Sequence, residues 1–144
     1  MRAVQDTFNV TLHAKELDIH HVSIASFEKS PKKGKEKSGK TKKTKASFAT
    51  SPDNNDFLVV TADRPLQQGE HYIIEIHFKG YGRGSEGFFR ASESVYATQF
   101  GATHARRAFP CFDEPDLKAK FKIVLTCDEK YSVISNMPMD KGKS

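Results

Sequence analysis

The eight residues His71 to Phe78, HYIIEIHF, alternate so strictly that they limit the possible folds more than any other local feature. Tyr72, Ile74, Ile76 and Phe78 fall on one side at a period of two, and His71, Ile73, Glu75 and His77 fall on the other. An extended strand with its first face on a core satisfies that pattern, and a helix does not. The same period recurs elsewhere. The opening MRAVQDTFNVTLHAKEL sets Phe8, Val10 and Leu12 against Asn9, Thr11 and His13. HVSIASF is strand-like, FLVVTA at Phe57 to Ala62 is a short apolar strand, and RPLQQGEH supplies a turn with Pro65 and Gly69. LKAKFKIVLT, from Leu117, turns Phe121, Ile123 and Leu125 inward against Lys120, Lys122 and Val124, and Tyr131 to Ser135 reads as a further strand.

No helical stripe of three turns interrupts these strands. A chain of 144 residues holds one domain and a single core. The expected fold is all-β, a twisted, mainly antiparallel sandwich or saddle. No apolar run approaches the ~18 residues that cross a bilayer. No secretory apolar segment follows Met1 either, so the chain is read as beginning inside structure.

The net charge of +5 raises the question of nucleic acid or a membrane surface, and its distribution answers it. Lys29 to Lys45 holds nine lysines and one glutamate, a net +8 that leaves −3 for the remaining residues. A Lys/Gly/Ser/Thr tract cannot bury enough apolar surface to offset the entropy of ordering, so a disordered insert is expected at about residues 29–50. No specific nucleic acid is expected as a partner. Weak polyanion or nucleotide binding through the tract is kept as an alternative.

Within that tract GKEKSGKT, Gly34 to Thr41, fits the phosphate-loop pattern. The chemistry requires a buried strand running into the loop and a helix leaving it. EKSPKK separates HVSIASF from Gly34, and KKTKASFATSPDNN carries no helical stripe. The match is set aside as compositional.

The six histidines make no metal motif. His71 and His77 share a face but lie roughly 20 Å apart along a strand, and Glu75 and His77, about 7 Å apart, need a third ligand from elsewhere. His20 and His21 project oppositely, and His-Glu-x-x-His is absent. Cys111 and Cys127 do not make a disulfide framework, and pairing between them stays open. Cys111, between Pro110 and Phe112, reads as a buried thiol; as a nucleophile it would need His104. Asn9-Val10-Thr11 matches a glycosylation acceptor, relevant only in the secretory pathway.

The densest motif is TQFGATHARRAFPCFDEP, Thr98 to Pro115. It resembles the N-terminal domain signature of zinc aminopeptidases of the aminopeptidase N family, the gluzincins, typically TQFEPTDARRAFPCFDEP. This chain departs at Gly101, Ala102 and His104. Further matches follow in chain order. TLHAKELDI resembles the family's LHxKxLxI strand, PLQQGEHYIIEIHFKG its L-x-x-G-x-x-Y-x-L-x-I-x-F-x-G run, GFFRAS its GFYRS segment and SVISNMP its ALSNMP. Apart from the lysine insert, nearly the whole chain is covered. THAR with GFFR resembles the branch that contains the pyroglutamyl-peptide-cleaving ectoenzyme, also called the thyrotropin-releasing-hormone-degrading ectoenzyme.

In that family the β domain caps the catalytic domain and binds the substrate's free amine through the Gln of TQF and an acidic or amide residue two places later. The resemblance therefore points to Gln99, and to Gly101 as a position vacant of a side chain. A protonated amine needs oxygen acceptors, so half of the clamp is missing here. Phe109 and Phe112 read as core anchors, Pro110 and Pro115 as bends, Asp113 as a cap for the turn to Leu117, and Arg106 and Arg107 as partners of Asp113 or Glu114.

The implied zinc belongs to the parent's catalytic domain. Neither His-Glu-x-x-His nor the family's Gly-x-Met-Glu-Asn occurs here, so the chain is expected to contain no cofactor and to be inactive alone. The resemblance also implies missing strands before TLHAKELDI and after SNMP, hence a partial domain incomplete at both ends, with exposed sheet edges. The expected partners are the parent's catalytic domain and a peptide N-terminus. Relatives of this kind include plasma-membrane ectoenzymes and cytosolic peptidases. A standalone β-sandwich binding module is the remaining alternative.

Overall fold

The computed structural model describes residues 1–27, 41–51 and 55–138. Eight strands follow in order: β1 Thr7–His13, β2 Leu17–Phe27, β3 Thr41–Thr44, β4 Ala46–Thr50, β5 Phe57–Leu66, β6 His71–Gly80, β7 Gly87–Arg90 and β8 Tyr96–Gln99. One short 3-10 turn, Ala105–Arg107, is the sole helical element among the described residues. The expectation of an all-β, antiparallel fold holds.

Two three-stranded sheets, ordered β1-β5-β4 and β3-β2-β6, supply the layers, and β7 and β8 form a separate hairpin. The chain changes sheets between β1 and β2, where Glu16 takes a left-handed φ of 55°. It changes again between β3 and β4. The core between the sheets is built from Val10 and Leu12, Val22 and Ile24, Leu58, Val60, Ala62 and Leu66, and Tyr72. Ile74 and Ile76 pack against it beside Tyr72, as read from HYIIEIHF, but Phe78, read on the same inward face, is 37% exposed and outside the core. Ile24, Leu58 and Val60 are completely buried. They are β-branched or aliphatic side chains on paired strands, where burial of each contributes about 1.5–3 kcal/mol.

Phe8 departs from the alternation. The β1–β5 register shifts between Thr7 and Asn9, and Phe8 is 51% exposed rather than inward. A bulge re-aims the side chain at its position while leaving the flanking alternation intact.

The expected insert at about 29–50 is shorter on its C-terminal side. Residues 41–44 pair antiparallel with Ile24–Phe27, and Ala46–Thr50 pairs with Leu58–Ala62. The disorder expected for the lysine tract, and all of GKEKSGKT before Thr41, lie outside the described residues.

A second correction concerns the C-terminal part. Neither LKAKFKIVLT nor Tyr131 to Ser135 forms a strand. Alternation gives a segment a face, but a strand also requires a neighbour for its N–H and C=O groups. No described strand pairs with this stretch, and Phe121, Ile123, Val124, Leu125 and Ile134 are more than half exposed.

Candidate functional site

The signature occupies the end of β8 and the corner after it. Ladder pairs Gly87 with Gln99 and Phe88 with Thr98 fix the hairpin, so Gln99 is its last paired residue. The side chain of Gln99 is exposed and turns back on the chain: its Oε1 accepts the Gly101 N–H at 3.2 Å. Gly101 thus lies beside Gln99. It does not need glycine's conformational freedom, since an added Cβ would meet Gln99 Oε1 at 3.7 Å and His104 Cδ2 at 3.8 Å, ordinary contacts. The left-handed residue of this turn is Thr103, with φ 73°.

The corner is held by Arg106 and Asp113. Asp113 Oδ2 accepts Arg106 Nε at 2.9 Å and the Arg106 backbone N–H at 3.2 Å. Arg106 also approaches Asp56 at 3.7 Å, and Lys15 Nζ donates to the same Asp56 oxygen at 3.0 Å. Asp113 therefore closes the 3-10 turn from behind instead of capping the run to Leu117. Arg107 diverges from its neighbour, reaching Glu16 at 2.6 Å and Glu86 at 3.2 Å, not Asp113 or Glu114. His104 Nδ1 meets Glu86 at 3.3 Å.

Phe109 packs edge-on to Phe100 and Phe121, with centroids 5.7 and 6.0 Å apart. Phe112, read as a core anchor, is 41% exposed and lies outside the core. Gly87 has a φ of 72°, and a Cβ there would lie 2.5 Å from Arg107 Cβ. The hairpin consequently presses on the 3-10 turn at a point only glycine fits.

Cys111 is half-buried, and desolvation, followed by the nearby Asp113 charge, pushes its thiol up to about 11. A thiol so disfavoured as thiolate is not an activated nucleophile. His104 is engaged with Glu86; the histidine near Cys111 is His13, whose backbone exchanges hydrogen bonds with Cys111 at 2.8 and 3.0 Å. His13 Nδ1 accepts the Asp113 N–H at 3.4 Å, and its ring packs on Phe57 at 5.1 Å. Cys111 and Cys127 are both free.

A cleft of about 90 Å³ lies next to this corner, lined by Glu16, Tyr81, Gly82, Arg83, Glu86, Phe88 and Arg107. Neither Gln99 nor Gly101 lines it. The cleft residues, together with His13, Lys15 and Asp56, were not legible as a group because they come from distant strands.

This sandwich with its anchored T-Q-F corner defines the N-terminal β domain of a metallopeptidase class, and comparison with known families agrees. The peptidase M1 N-terminal domain model matches residues 1–144, and the chain belongs to that family. Aminopeptidase A of Gloydius brevicauda is 37% identical over 112 residues, covering 72% of this chain and 11% of the relative. The thyrotropin-releasing hormone-degrading ectoenzyme of Rattus norvegicus is 42% identical over 91 residues, 58% of this chain and 8% of the relative. Probable M1 family aminopeptidase 1 of Encephalitozoon cuniculi (strain GB-M1) is 32% identical over 134 residues, 92% of this chain and 14% of the relative. The chain thus spans about a tenth of the length of these curated relatives.

M1 aminopeptidases are zinc metallopeptidases. Among the described residues no three His, Cys, Asp or Glu side chains are gathered to hold an ion, so these residues do not fit that zinc. No helix among them is long and apolar enough to cross a membrane.

Proposed function

We propose that this chain is the substrate-capping portion of a zinc aminopeptidase, noncatalytic by itself, whose intact form removes N-terminal residues from peptides. The observation that carries the reading is the family match across all 144 residues, joined to the exposed placement of Gln99 at the end of β8. Among the described residues its carboxamide oxygen accepts from the exposed backbone N–H of Gly101 alone, at 3.2 Å. Exchanging that contact for a substrate ammonium costs little, because an exposed neutral hydrogen bond is worth about 1 kcal/mol or less and a charge-assisted one more. Facing the catalytic domain, Gln99 would orient the peptide amine, while Gly101 leaves the companion position open. The reacting carbonyl, the zinc and the general base would all belong to the partner domain.

The test uses the enzyme that carries this domain. Gln99→Ala should raise KM for peptides with a free amine about tenfold, the equivalent of one lost polar contact. Gly101→Glu should lower KM for the same peptides, since the position accommodates a side chain without backbone strain. Unchanged kinetics in both variants would overturn the assignment of Gln99. Aminopeptidase turnover by the isolated chain would overturn the noncatalytic reading.

A further inference from the structure

The outer face of the β2–β6 ladder carries a cluster that the proposed capping role does not use. His21 and His77 are direct cross-strand partners. Their rings stand 5.5 Å apart, centroid to centroid, at an interplanar angle of 89°. Two residue pairs further along, on the same face, Ser23 lies opposite Glu75 and donates its hydroxyl to Glu75 Oε2 at 3.4 Å. Glu75 Oε1 lies 3.1 Å from His77 Nε2. The side chains of His77 and Glu75 are 59% and 56% exposed, so an ion from solvent reaches them without displacing the core.

The strand sequence alone sets one imidazole, His77, beside Glu75. The antiparallel register supplies a second imidazole, His21. It does so from a second strand that pairs with β6 without interruption from His21 to Phe27, after a register shift between Ile19 and His21. Groups carried on paired strands hold their mutual spacing better than groups on loops.

Two features suit the cluster to an ion. With metal–nitrogen bonds of about 2.0–2.1 Å, two imidazoles on one tetrahedral ion place their ring centroids about 5 Å apart. The observed separation is within a side-chain adjustment of that value. Second, a carboxylate accepting from one ring nitrogen fixes the proton there and leaves the other nitrogen as a lone-pair donor. Glu75 takes this part by accepting at His77 Nε2, which frees Nδ1 for an ion.

We propose that His21 and His77 form an open two-imidazole site for a borderline-soft divalent cation such as Zn²⁺ or Ni²⁺, with Glu75 as the positioning residue for His77. Imidazole ligands suit these ions. With two protein ligands, water completes the coordination, and affinity falls below that of a closed four-ligand site. Nothing in this assignment depends on catalysis, on Gln99 or on a partner domain.

Zinc chloride titrated into the untagged chain, followed by histidine ring NMR signals, tests the site. His21 and His77 signals should shift together and saturate at one equivalent. His21→Asn and His77→Asn should each weaken binding at least about tenfold, and Glu75→Gln about tenfold, while His20→Asn, altering the adjacent exposed histidine, should leave it unchanged. Wild-type affinity in both His21→Asn and His77→Asn would overturn the proposal, as would an equal loss in His20→Asn. All positions are exposed, and unchanged amide spectra of the ion-free variants will show that folding is intact.

Discussion

Arg106 and Asp113 are joined by a 2.9 Å ion pair in which both side chains are nearly buried, 12% and 10% exposed. Their sequence separation is short, but the pair closes the corner on which the signature turns. Asp113→Ala would leave the Arg106 guanidinium with Asp56 alone, at 3.7 Å. The expected loss is about 2–3 kcal/mol of unfolding free energy by chemical denaturation, since removing one partner strands the other's charge. Arg106→Lys keeps the charge and should lose about half as much.

Gly87 and Gly84 separate conformational strain from steric contact. Both have left-handed φ, but a Cβ on Gly84 meets nothing within 4 Å, while one on Gly87 meets Arg107. Gly84→Ala should cost about 1 kcal/mol for the backbone alone. Gly87→Ala should cost at least about 2 kcal/mol, because the hairpin must also move off the 3-10 turn. Equal losses in the two variants would show that the contact contributes nothing.

The thiols should differ in reactivity. Cys127 is exposed and should react with iodoacetamide at pH 7.5 at least about tenfold faster than Cys111, whose thiol is pushed up to about 11. The sign for stability follows from that shift. The native state holds the Cys111 proton more tightly than the unfolded chain, whose reference is 9.0. Its contribution is therefore complete below pH 9 and is lost as pH rises through 9 to about 11. Across that interval the denaturation midpoint of the parent should fall more than that of Cys111→Ala.

Leu58→Ala tests the core directly. Leu58 is completely buried on the central strand β5, and truncation should cost about 3 kcal/mol. Ile134→Ala, at a residue 93% exposed, should change stability by less than about 0.5 kcal/mol.

Exposed apolar side chains at Phe121, Ile123, Val124 and Leu125 should make the isolated chain self-associate. Phe121→Ser with Ile123→Thr should lower the concentration-dependent light scattering without lowering the denaturation midpoint. A fall in the midpoint equal to that of Leu58→Ala would show instead that the segment contributes to the core.

The strands with a partner close enough in register were legible from alternation alone. HYIIEIHF and FLVVTA appear where expected because Tyr72, Ile74 and Ile76, like Leu58, Val60 and Ala62, face one continuous core. Phe8 was misread because a register shift is a property of two strands, and alternation describes only one. LKAKFKIVLT failed for a related reason: its pattern names a face, but no neighbouring strand accepts its backbone. At the site, Arg106–Asp113 was readable because the residues are close in sequence. Glu16, Glu86 and Arg107 were not, since sheet crossing brings them together. His13 likewise looked like a solvent-facing strand residue, yet it is buried where it meets Cys111.

The sheet order also dictates when the fold can begin to form on the ribosome. Among the described strands β1 pairs with β5 alone, and the Asn9 and Thr61 side chains that meet across that ladder are 52 residues apart. At about 5–20 residues per second, β1 waits several seconds after its own synthesis before its partner exists. The nascent chain must therefore carry Val10 and Leu12 unpaired through that interval.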